Sequence, residues 1–79
     1  MKNIIESTEP KIITQLRDVV ENGYKRLKDT KSGRTMLVDS YSASAIVKVY
    51  DVLNQTNKDD FSSLGLIGMQ NVAFKLINK

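Results

Sequence analysis

The chain has no histidine, no cysteine and no tryptophan. Without histidine the commonest general base and metal ligand are both missing. Without cysteine there is no disulfide, no thiolate metal site and no sulfur nucleophile. Ser-His and Cys-His dyads are therefore excluded. A cysteine-free chain also fits a reducing compartment. No apolar run approaches the roughly 20 residues needed to span a bilayer. The opening stretch, M-K-N-I-I-E-S-T-E-P, lacks the apolar core of a signal peptide. These absences predict a soluble, intracellular protein with no membrane contact. Proline occurs once and glycine four times, so each is informative about where elements stop.

At 79 residues the chain is one domain. A domain this small buries only about 60–65% of its unfolded surface, which leaves thin stability. With no disulfide or metal to staple it, support must come from helix packing or a partner surface. Self-association is a reasonable expectation on that ground.

The most periodic stretch is Asp39 to Asn54. Ile46, Val49, Tyr50 and Leu53 recur at i, i+3, i+4 and i+7, one face of a helix. Ala45 and Val52 widen that face, while Ser44, Lys48, Asp51 and Asn54 fall opposite. The pattern predicts a central helix over 41–54, with Asp39 or Ser40 as its cap. Ser42, Ala43, Ser44 and Ala45 are small enough to admit another backbone.

Residues 1–7 form a short arm with Ile4 and Ile5 as its adhesive side chains. Thr8-Glu9-Pro10 opens a first helix over 9–22, its apolar face Ile12, Ile13, Leu16, Val19 and Val20. Asn22-Gly23 is a stop signal. The alternative, a helix running on to Lys28, leaves a glycine inside it. Tyr24 to Val38 reads as a hairpin, with arms Tyr24–Lys28 and Arg34–Val38 around Asp29-Thr30-Lys31-Ser32-Gly33. Two strands are marginal alone, so Leu27, Met36 and Val38 should lean on a helix. Asn57 with Asp60 suggests a capped helical turn over 58–62, with Phe61 inward. Ser63 can cap a last helix over 64–77, its face Leu66, Met69, Val72, Ala73, Leu76 and Ile77. Gly65 and Gly68 near its start imply a close crossing with the central helix. Lys79 then sits near the helix C-terminus. The fold class is mainly α: a small single domain of three helices plus a short helical turn, with one β-hairpin after the first helix.

The remaining polar residues assemble no known chemistry. Asp59 and Asp60 belong to a capped turn, Asp29 to the hairpin turn and Asp39 to a cap. Lys31-Ser32-Gly33-Arg34-Thr35 lacks the first glycine and the Gly-Lys-Ser/Thr ending of a phosphate loop. No calcium-binding loop is present. The sequence thus predicts no catalytic residue, no cofactor, no metal and no small-molecule substrate.

Charge is where the chain is uneven. Its net charge is only +3, from 12 cations and nine acids. Five of those cations, Lys25, Arg26, Lys28, Lys31 and Arg34, fall within ten residues that hold one acid, Asp29. On a hairpin they form a basic wing able to lie along a phosphate backbone, with Tyr24 as a stacking face. The alternative is an ordinary solvated hairpin whose lysines guard its edges. The last helix, with Lys75 and Lys79 as its cations beside Gln70 and Asn71, makes a poor recognition helix.

The run R-L-K-D-T-K-S-G-R-T-M-L-V-D, then S-A-S-A-I-V-K-V-Y-D-V-L-N at 42–54 and A-F-K-L-I at 73–77, resembles small uncharacterised proteins of tailed bacteriophages over residues 26–77. It carries no functional motif. It implies a phage setting, in the host cytoplasm or the assembled virion, where such a protein is a virion component or binds a host protein. The expected function is non-enzymatic interaction with another protein or its own copies. The alternative is an auxiliary nucleic-acid binder that uses the basic hairpin.

Overall fold

The computed structural model describes residues 9–29 and 31–77. The order is α1 (Lys11–Asn22), β1 (Tyr24–Lys28), β2 (Thr35–Asp39), α2 (Ser40–Val52), α3 (Gln55–Ser62) and α4 (Gly65–Ile77). The fold is mainly helical with one antiparallel hairpin after the first helix, as the periodicity predicts. The predicted arm over 1–7 and the terminal Lys79 lie outside the described residues.

The core is set by periodic apolar faces. Ile12, Ile13, Leu16 and Val19 from α1 meet Ala43, Ala45, Ile46, Val49 and Tyr50 from α2. Leu66, Met69 and Ala73 of α4 join them, with Leu27 and Val38 of the hairpin and Phe61 of α3. Burying a large aliphatic side chain such as Ile46 or Leu66 contributes about 1.5–3 kcal/mol. α2 is the hub: it packs against α1, β2, α3 and α4. Not every predicted face residue is inside. Val52 is 82% exposed and Val20 40%, each at the margin of its stripe. Leu76 and Ile77 are also exposed, so the covered face of α4 ends a turn before its last residues.

Helix ends moved for identifiable reasons. α1 starts at Lys11 rather than residue 9, since Pro10 is extended and its carbonyl accepts from the Ile13 and Thr14 amides at 3.0 and 3.2 Å. It stops as expected: Gly23 has φ 101, and its N–H donates to the Val19 carbonyl at 2.9 Å. Tyr24 to Lys28 is therefore a strand, and the longer-helix alternative falls. The second arm begins at Thr35, one residue later than predicted, and ends at Asp39. Asp39 is the α2 cap, accepting from the Ser42 N–H at 2.8 Å, while Ser40 is already helical.

Two predicted caps were misplaced. Asn54, not Asn57, starts α3: its side chain accepts from the Asn57 N–H at 2.9 Å. The central helix accordingly ends at Val52 and the short helix begins three residues earlier than predicted, at Gln55. Ser63 does not cap α4, because its hydroxyl donates to the Asp60 carbonyl at 2.7 Å. The glycines of α4 do not mark a crossing with α2 either. A Cβ on Gly65 would stand 2.6 Å from Asp29 Oδ1 and 2.7 Å from Lys31 Cβ, in the hairpin turn. One on Gly68 would stand 2.7 Å from Leu64 Cβ, just before its own helix.

Candidate docking face on the hairpin

The antiparallel register sorts the hairpin side chains onto two faces. The pairs are Tyr24↔Asp39, Lys25↔Val38, Arg26↔Leu37, Leu27↔Met36 and Lys28↔Thr35. Partners opposite one another share a face, and the face alternates along the strand. Leu27 and Val38 are buried and Met36 packs beside them, so that face is the inner one, as predicted. Tyr24, Arg26 and Lys28 stand on the outer face with Leu37, Thr35 and Asp39. All six are exposed, Tyr24 at 69% and Leu37 at 59%.

The five cations of the basic wing are divided accordingly. Arg26 and Lys28 point outward, while Lys31 and Arg34 are exposed at the tip. Lys25 falls on the other side, in register with Val38, and its ammonium pairs with Asp18 on α1 at 3.4 Å. Among the described residues Arg26, Lys28, Lys31 and Arg34 have no acidic partner within 4 Å. The acid on the outer face, Asp39, is engaged with Ser42. The Ser42 amide and hydroxyl hold its carboxyl below the ordinary aspartate value.

The tip is built around Asp29. Its N–H donates to the Arg34 carbonyl and its carbonyl accepts from the Gly33 N–H, both at 2.7 Å. Gly33, at φ 77, supplies the left-handed residue that closes the turn. Asp29 is 2% exposed, and its side chain works in two directions. Within the turn it accepts from the Lys31 N–H at 3.2 Å and the Ser32 hydroxyl at 2.9 Å. Across the molecule it accepts from the Leu66 N–H at 2.8 Å. Gly65, the first residue of α4, has φ 81, and Asp29 satisfies the free amide of the residue after it, Leu66. Burial pushes the Asp29 carboxyl up, but these donors, led by Leu66, outweigh it and leave it below its usual value. Asp29 thereby fastens the hairpin to α4, with Lys31 and Arg34 exposed near that junction.

Sequence reasoning placed Asp29 in the turn and missed its second role. The signal available was indirect: a lone acid in a basic window.

Other surfaces offer less. Arg17 is held by Asp51 at 2.7 Å and Glu9 at 3.0 Å, joining α1 to α2. These contacts keep Asp51 below its ordinary value and raise the guanidinium further above neutrality. Beside it lies a shallow open cleft of about 230 Å³ lined by Arg17, Val20, Glu21 and Val47. Among the described residues no three side chains gather as a metal site. None of the described helices is long and apolar enough to cross a membrane. Comparison of the chain with protein-family models, curated proteins and solved structures finds no match.

Proposed function

We propose that the chain is a non-enzymatic binding module that docks an anionic macromolecule through the outer face and tip of its hairpin. One observation carries this reading. Four exposed cations, Arg26, Lys28, Lys31 and Arg34, lack acidic partners among the described residues, and Arg26 stands on the same face as the exposed Tyr24, opposite the exposed Leu37. Unpaired charge beside apolar surface favours a complementary partner that neutralises the one and covers the other. The phage resemblance supplies a context, an accessory or virion component that works by contact. Retention on an immobilised polyanion such as heparin tests the face. The variant Arg26→Gln/Lys28→Gln/Lys31→Gln/Arg34→Gln should elute at markedly lower salt than the parent, with an unchanged circular dichroism spectrum. Equal elution of the two proteins would remove the hairpin from the binding surface.

Self-association is a second reading, favoured by Leu76 and Ile77, which are 53% and 45% exposed at the end of α4. Sedimentation over a concentration range tests it. An oligomer that Leu76→Ser/Ile77→Ser disperses supports the reading, and a parent that stays monomeric throughout removes it.

A further inference from the structure

The outer face of the hairpin has a linear arrangement as well as a charge. We infer that its partner is a single-stranded nucleic acid, held by phosphate contacts to Arg26, Lys28, Lys31 and Arg34, with one base stacked on Tyr24. This rests on the docking face proposed above and names the partner's class.

Tyr24, Arg26 and Lys28 are alternate residues of β1, so they form a row on one face with steps of about 6.6–6.8 Å. Lys31 and Arg34 continue the positive charge into the tip, which Asp29 fastens to α4 through Leu66. A row of cations on a fixed support suits a polymer with regularly repeated charge. An acidic protein patch has no such repeat. Counterions released from the polymer add to the gain.

Tyr24 selects between single strand and duplex. Tyr24 is 69% exposed at the strand end of the row. A duplex hides base faces inside its stack, whereas a single strand can lay one on an exposed aromatic ring. Leu37, directly across from Arg26, offers an apolar floor beside the guanidinium. Asp39 lies across from Tyr24 and puts a negative charge at that end. The strand therefore runs from the tip toward Tyr24 and leaves the face there. Phosphate contacts and stacking carry no base code, so binding is indifferent to sequence.

Fluorescence anisotropy with labelled oligothymidylate, a mixed-sequence strand and a duplex of equal length tests this, with polyglutamate as competitor. Four phosphate contacts predict binding weakened roughly 50-fold between about 50 and 200 mM salt. The four-glutamine variant should lose most of the affinity and nearly all of the salt dependence. Tyr24→Ala should weaken single-strand binding roughly ten-fold, and Tyr24→Phe, which keeps the ring, should not. Tight duplex binding that Tyr24→Ala leaves untouched would overturn the stacking and single-strand assignment. Polyglutamate competing as well as the oligonucleotide would overturn nucleic acid in favour of an acidic protein. In both cases the salt-shifted heparin elution of the four-glutamine variant would still uphold the docking face itself.

Discussion

Two helices of this protein start on an aspartate, and the two starts are built differently. At α2, Asp39 precedes the helix and accepts from the Ser42 N–H three residues on. At α4, the acceptor is Asp29, 37 residues before the Leu66 amide it serves. Asp39 is exposed and stabilises only its own first turn. Asp29 is buried and joins the hairpin tip to the last helix while also shaping the turn it sits in. One carboxylate fixes a helix end locally, and the other fixes the position of two elements. Removing the second therefore disturbs tertiary structure as well as a helix terminus.

The largest expected effect comes from Asp29→Ala. The Leu66 and Lys31 amides and the Ser32 hydroxyl lose an ionised, buried acceptor, at a cost of about 3 kcal/mol. Urea unfolding measures it. A loss no larger than that of Asp39→Ala would erase the distinction between the two starts. The same comparison predicts the acid response. Asp29's carboxyl is lowered by folding, so its contribution is complete above the unfolded value of about 3.9 and fades as pH falls through the lower folded value. Asp29→Asn should flatten stability against pH in that acid window and leave the neutral region flat, as thermal melts across the range would reveal.

Gly65→Ala should come next, at roughly 2 kcal/mol, since alanine is strained in the left-handed region. Its Cβ would also press on Asp29 Oδ1. In the double variant with Asp29→Ala that oxygen is gone, so the two losses should fall short of their sum. Strict additivity would mean that the glycine answers to its backbone angle and to the Lys31 Cβ, and not to the carboxylate.

Asp39→Ala should cost less than either. Its effect should be confined to faster amide exchange in the first turn of α2, with the hairpin tip unaffected. Smallest is Arg17→Gln, which breaks a partly exposed network joining Glu9, Arg17 and Asp51, and should cost no more than about 1 kcal/mol. A larger loss would make the α1–α2 ion pairs rival the Asp29 junction.

Much of the fold was legible because its causes are short-ranged. The stripe through Ile46, Val49 and Tyr50 is a periodicity, and periodicity is written in consecutive residues. Gly23 and Gly33 mark local backbone demands, and both stand at positive φ where the chain turns. The α2–α3 junction was less legible, since Asn54 and Asn57 are both competent caps. Asn54 prevailed once Val52 ended the preceding helix. The outer face was partly legible. The cluster of cations was visible, but which of them share a side depends on strand register. That register sends Lys25 toward Asp18 and leaves Arg26 and Lys28 outward.

The sequence by itself determined the elements, their apolar faces, the concentration of positive charge and the missing reactive side chains. Those properties depend on residue type and near-neighbour spacing. Only the tertiary structure decided that Asp29 should start α4, that Gly65 should lie beneath a carboxylate, and that Leu76 and Ile77 should remain outside the core. Each of these depends on which surfaces meet once the chain has closed between Asp29 and Leu66, 37 positions apart in sequence, and no local pattern encodes that contact.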